Sequence, residues 1–190
     1  LVGSRPAELA HRQRALGQLR GPRAYQDVGR HRSAVDDLRR VLALAARDAG
    51  ARLDLGDFQD HTLSPFFHEH LVEAARVPER WPFAAYLRDL AARVAAISPR
   101  AVGLSINYLH QALPALALAG ALRRACGGET PILAGGGLVT CWRGRLEPDA
   151  LAPAVDRLVF GDGTGPLLEL LGVDPRAGGA GTPDFSWAPW

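Results

Sequence analysis

The stretch LAGGGLVTCW (residues 133–142) sets Gly135, Gly136 and Gly137 in a row just past a short apolar run. Each glycine raises the conformational entropy lost on folding, and a turn rarely needs three of them. A triple glycine at a strand end therefore reads as backbone that something bulky approaches closely. Two further apolar runs end in the same way. AVGLSIN is followed by Tyr108, so that Ser105, Asn107 and Tyr108 stand at its end, and RLVFGDG ends in Gly161, Asp162 and Gly163. Small and polar residues at strand ends suit a ligand held by backbone N–H groups and hydroxyls. No residue stands out as a general acid, base or nucleophile. His61, His68 and His70 lie in HTLSPFFHEH, but residues two apart point to different faces of a helix, and the zinc-protease pattern His-Glu-x-x-His is absent. Cys141, beside the glycines, has no neighbouring His to activate it. His110 and Trp142 lie near the strand ends without a partner pattern of their own. Each of these features also has a plain structural role. The glycines can make a tight turn, Ser105 can bond backbone, and Asp162 can cap a helix starting near Thr164.

The elements that must position these residues follow from periodicity. Amphipathic helices are predicted over 6–20 and 34–49, the second with Ser33 as N-cap. ARLDLGDF (51–58) alternates weakly, as a strand or an extended loop. Ser64-Pro65 reads as a helix start, with Pro at the first helical position, and 83–97 as a longer helix. Beyond residue 98 short apolar strands at 101–107, 131–135 and 157–160 alternate with helices at 111–125 and 164–172. Strands of this kind predict an α/β domain, a parallel sheet with helices on both faces, in which the three strands are neighbours. Ligands of such sheets bind beyond the carboxyl ends of the strands. Ser105, Gly135–Gly137 and Gly161–Gly163 are thus expected to converge on one edge. VDPRAGGAGTP (173–183) is a Gly/Pro-rich linker that leads into DFSWAPW.

Composition narrows the function classes. The 190 residues suit one domain with extensions, and the 47% hydrophobic content can build a core. No apolar run is long enough to cross a membrane, and no signal-peptide pattern opens the chain. The absence of an initiator Met suggests a fragment, a processed chain or a trimmed one. All 22 basic residues are Arg and the net charge is +2. They are scattered among acids, as in RHRSAVDDLRR, which argues against a nucleic-acid footprint. Two cysteines, Cys126 and Cys141, fit a reducing cytoplasm and not a disulfide-built fold.

At AVGLSINYLHQAL, ILAGGGLVTCW and RLVFGDGTGPLLELLG the sequence resembles the cobalamin-binding domain at the N-terminus of many radical S-adenosylmethionine proteins. The resemblance covers residues 83–190 well and the helical segment before it more loosely. It implies a Rossmann-like domain over 83–172, a helical extension over 1–82, and a linker over 173–190 towards a radical domain that is the chain's partner. In the full-length protein it further implies a 4Fe-4S cluster and S-adenosylmethionine, in a methyl transfer or related radical reaction on an unidentified small-molecule or peptide substrate. Carried over by position, Ser105, Asn107 and Tyr108 lie where the family places a hydroxyl-bearing residue beside the cobalamin nucleotide tail. Gly135, Gly136 and Gly137, with Leu138, Val139 and Thr140 after them, occupy the glycine loop that admits the tail and corrin side groups. Gly161, Asp162 and Gly163 match the family's Gly-acid-Gly turn, more often built with Glu. On this reading Val at Gly136 would abolish cofactor binding more than it harms folding.

The sequence departs from the wider cobalamin pattern in two respects. Asp-x-His-x-x-Gly is absent, so no His is assigned below the cobalt and no metal ligand is expected from the protein. Two cysteines fifteen residues apart cannot supply the three thiolates of a radical-domain cluster, so the chain alone is expected to leave S-adenosylmethionine uncleaved. The family's usual first strand would precede Leu1. Two other readings remain: a degenerate Rossmann scaffold that binds nothing and only docks on its partner domain, and a flavodoxin-like nucleotide binder, for which no G-x-G-x-x-G is present.

Overall fold

The structure, a computed structural model, describes residues 6–23, 25–47, 49–170 and 172; the expected linker over 173–190 lies outside them. Helices α1 (Pro6–Arg20) and α2 (Val28–Arg47) form a hairpin. Ala15, Ala34 and Leu38 bury a small apolar cluster of their own, with Leu16 and Leu19 against it. The second helix begins six residues before the expected position, so Ser33 lies inside it rather than at its cap. The physical reason is Asp27, whose carboxylate accepts the Arg30 backbone N–H (3.0 Å) and pairs with its guanidinium (3.2 Å), satisfying the first turn.

The weakly alternating stretch is a two-stranded antiparallel hairpin, β1 (Ala51–Leu53) with β2 (Phe58–Asp60). Helix α3 (His68–Arg76) starts three residues beyond Pro65. Ser64 instead closes a turn: its carbonyl accepts the Phe67 N–H (3.3 Å) and its own N–H donates to His70 Nδ1 (3.0 Å). A short 3-10 turn, Pro78–Arg80, leads to α4 (Ala84–Ala96). Phe58, Trp81 and Phe83 pack together there, with the Phe58 ring 5.2 Å from each of the other two.

Strand β3 (Val102–Ser105), a 3-10 turn (Leu109–Gln111) and α5 (Ala112–Cys126) follow, then β4 (Ile132–Gly135), α6 (Gly137–Cys141), β5 (Arg157–Leu158) and α7 (Thr164–Leu170). The sheet has three parallel strands in the order β3-β4-β5, with Val102 opposite Ile132, Ser105 opposite Gly135 and Ala134 opposite Leu158. The three expected strands are therefore neighbours in one parallel sheet. Alternation along the strands divides their side chains between two faces. Val102, Leu104, Ile132, Ala134 and Leu158 point into the main core with Leu113, Leu116 and Leu122 of α5, and α3 and α4 flank that helix. Phe58, Leu71, Ala74 and Trp81 belong to the same core, so the segment from β1 to α4 shares its interior with the sheet.

Gly120 lets α5 approach α3. A Cβ at this position would lie 1.9 Å from the carbonyl oxygen of Ala75. Arg123, near the end of α5, ties the far edge of the sheet. Its guanidinium donates to the carbonyls of Pro153 (2.9 Å), Gly127 (3.2 Å) and Thr130 (3.0 Å) and pairs with Asp156, whose carboxylate also accepts the Ile132 N–H (2.7 Å). No helix among the described residues is long and apolar enough to cross a membrane.

Candidate functional site

The opposite face of the sheet carries Gly103, Ser105, Leu133 and Gly135, the other half of the alternation. A cleft of about 630 Å³ opens over it. Gly103, Ser105, Leu133 and Gly135 form its floor, Leu167 and Leu168 of α7 form one wall, and Gly136, Gly161, Asp162 and Gly163 lie at the strand-end side. Its size is within the range of about 300–1,000 Å³ usual for small-molecule sites. Two of the floor positions lack a Cβ, which leaves the strands bare there: one added at Gly103 would meet nothing within 4 Å, and one at Gly135 would stop 3.4 Å from the Val159 carbonyl oxygen.

Of the residues expected at a site, Ser105, Gly135, Gly136, Gly161, Asp162 and Gly163 are brought together on this cleft. Asn107, Tyr108, Gly137, Leu138, Val139 and Thr140 do not line it. Asn107 is a connector: its Nδ2 donates to Ser105 Oγ (3.2 Å), its Oδ1 accepts the Gly137 N–H (2.9 Å), and its own N–H donates to Gln111 Oε1 (2.9 Å). Because Ser105 Oγ accepts from Asn107, its proton is free to be donated elsewhere. Tyr108 is 62% exposed and stacks on His110, with ring centroids 5.6 Å apart. Val139 is buried in the main core and Leu138 packs against it. Thr140 joins two strand ends through its hydroxyl, which donates to the Gly136 carbonyl (2.9 Å) and accepts the Gly161 N–H (2.9 Å).

The reason for the middle glycine differs from the one the sequence suggested. Gly136 has φ +106° and ψ 179°, a region that side chains avoid. A Cβ there would lie 2.6 Å from Ile106 O and 2.8 Å from Ile106 N. The close neighbour is thus the chain's own backbone at the end of β3, and the conformation starts α6 directly from β4. The Ile106 N–H donates to Gly135 O (2.7 Å) and the Leu138 N–H to Ile106 O (3.1 Å), which fastens the crossing. Val at Gly136 therefore attacks the fold first, contrary to the expectation that it would chiefly harm binding.

Asp162 does cap the turn into α7. Its Oδ1 accepts both the backbone N–H (3.0 Å) and the hydroxyl (2.8 Å) of Thr164. These two bonds, the backbone one first, hold its carboxyl below the ordinary carboxylate range. His68 and His70 are engaged separately: His68 Nε2 donates to the Ala150 carbonyl (2.7 Å), while His70 Nδ1 accepts from Ser64. Among the described residues no cluster of three or more His, Cys, Asp or Glu side chains could hold a metal ion.

The sequence reading did not single out Gly103, Leu133, Val159, Leu167 and Leu168, which also line the cleft. The signal for Gly103 was present in the period of two that pairs it with Ser105 on one face of β3. The leucines of α7 carry no such signal, because an apolar helix face reads the same against a core or a ligand. No protein-family model, curated protein or solved structure matches this chain. Fold and site together define an α/β domain with a ligand-sized cleft on one face of a parallel sheet.

Proposed function

We propose that this chain is the cobalamin-binding part of a radical S-adenosylmethionine protein, with the parallel sheet as its Rossmann-like core. The observation that carries the reading is the cleft over Gly103, Ser105 and Gly135. A floor with no Cβ at Gly103 and Gly135, between an apolar helix wall and a rim of glycines, suits a planar, largely apolar group such as the base of a nucleotide tail. It is too small for a whole corrin, which would rest outside the strand ends beside Gly136 and Gly161–Gly163. When bound, cobalamin supplies a cobalt centre for methyl transfer or a related radical reaction.

The residues of the chain bind and orient. Ser105, held by Asn107, presents its hydroxyl proton to an acceptor on the tail. Gly103 and Gly135 let the ring lie against the strands, and Leu167 and Leu168 exclude water from its edge. Asp162 keeps its turn in place through Thr164. The partner in this reading is a radical domain carried by the same protein, which holds the iron–sulfur cluster and S-adenosylmethionine.

The test is an absorbance titration of the chain with hydroxocobalamin, repeated for Gly103→Val. Saturable spectral change in the wild type and at least about tenfold weaker binding in the variant are expected, because Val fills space the ring needs. No saturable change in the wild type overturns the reading and leaves a domain that only docks on its partner. Equal affinity in both proteins moves the ligand off this face.

A further inference from the structure

The short helix α6 holds the opposite rim of the cleft through one peptide unit. The Phe160 carbonyl accepts from Arg143 Nη2 (2.6 Å), and the N–H of the same peptide, at Gly161, donates to Thr140 Oγ1 (2.9 Å). Both polar groups of the Phe160–Gly161 peptide are thus bonded to side chains that leave from α6 and the residue pair just beyond it. Thr140 is itself anchored, since its hydroxyl donates to the Gly136 carbonyl at the exit of β4. Gly161 has φ +87°, and a Cβ on it would lie 2.9 Å from Arg143 Nη2, so the guanidinium occupies the side-chain space that glycine leaves open. Gly136 and Gly161–Gly163 line the cleft, whereas Thr140 and Arg143 do not touch it.

We infer that Thr140 and Arg143 are positioning residues: they clamp the Phe160–Gly161 peptide and thereby set the distance between the β4 and β5 rims of the cleft. The rim beyond β5 needs such a device. Strand β5 has only two paired residues, Arg157 and Leu158, so the ladder ends before Gly161 is reached. Side-chain bonds to both polar groups of one peptide supply what the missing ladder bonds do not. Thr is suited to the task because its hydroxyl can donate to one strand end and accept from the other at once. Val has the same shape and can do neither. The consequence for binding rests on the proposed function; the clamp itself does not.

Thr140→Val and Thr140→Ser are compared with the wild type in two measurements. The first is amide hydrogen exchange at Gly161 in the ligand-free chain, read by NMR. The loss of one hydrogen bond predicts exchange about five- to tenfold faster in Thr140→Val, with Thr140→Ser close to the wild type. The second is the hydroxocobalamin titration, in which Thr140→Val weakens binding about tenfold while melting almost as the wild type does, and Thr140→Ser restores it. Unchanged exchange at Gly161 in a folded Thr140→Val protein overturns the clamp. Faster exchange with unchanged affinity overturns its role in setting the cleft. If the wild type fails to bind cobalamin, the functional reading falls, and the exchange at Gly161 still decides whether the clamp exists.

Discussion

Val at Gly136 separates what holds the fold from what holds a ligand. The residue sits at φ +106° and ψ 179°, which costs a side-chain-bearing residue about 1–3 kcal/mol. The added Cβ would also stand 2.6 Å from Ile106 O and 2.8 Å from Ile106 N. Those atoms cannot rotate away, because the Ile106 N–H is bonded to Gly135 O and Ile106 O accepts the Leu138 N–H. Forcing the two backbones apart adds about 1–3 kcal/mol, as overpacking usually does. The sum of about 2–6 kcal/mol is a large share of an ordinary stability of about 5–15 kcal/mol. For a chain of this length it corresponds to a fall in Tm of roughly 5–20 °C. Gly103→Val is the control: it meets open space on an extended strand, where Val is favoured over Gly, so its Tm should equal or slightly exceed that of the wild type. Thermal melts followed by circular dichroism provide the comparison. If Gly136→Val melts within about 2 °C of the wild type, by the same scaling, the crossing of β3 and α6 is not as tight as described and the argument fails.

Other outcomes follow from the same structure. Gly120→Ala should lower Tm by several degrees, about 1–3 kcal/mol by overpacking, because the new methyl meets the Ala75 carbonyl at the α3–α5 crossing; an unchanged melt would show that the helices separate freely. Arg123→Ala should cost about 1–2 kcal/mol in urea unfolding, since it strips the partly buried Thr130 carbonyl and the exposed Pro153 carbonyl and Asp156 carboxylate of their donor, and a loss below about 0.5 kcal/mol would refute the network. Asp60 is subject to burial, which raises its carboxyl pKa, but the N–H groups of Leu63 and Thr62, the Thr62 hydroxyl and Arg80 outweigh this and hold it below the ordinary value. Its contribution to stability is therefore present above the unfolded pKa of about 3.9 and lost as pH falls below that towards the folded value. Denaturant midpoints from pH 7 to pH 3 should fall less steeply in Asp60→Asn than in the wild type, and parallel curves would count against the assignment. The chain alone, reconstituted anaerobically with iron and sulfide, should release no 5′-deoxyadenosine from S-adenosylmethionine, because Cys126 and Cys141 are too few to hold the cluster; its appearance would overturn that reading.

The parallel sheet was legible in the sequence because short apolar runs separated by a helix-length segment have one economical arrangement. AVGLSIN and PILAGG read as strands from their apolar continuity, and the ends at Ser105, Gly135 and Gly161 then had to share an edge. The start of α2 was not legible, since Asp27 and Ser33 are both good caps and only the bonds that Asp27 makes to Arg30 show which turn opens the helix. The same limit applies to the three glycines. Sequence pattern identified a backbone that something approaches closely, but composition cannot say whether the neighbour is a ligand or the chain itself. Tertiary structure decided this residue by residue: Gly136 is against Ile106, while Gly135 and, unforeseen, Gly103 face the cleft. The physical reason is that a Cβ is excluded by whatever atoms lie within its radius, and those atoms come from segments about thirty residues away, whose position only the assembled sheet determines.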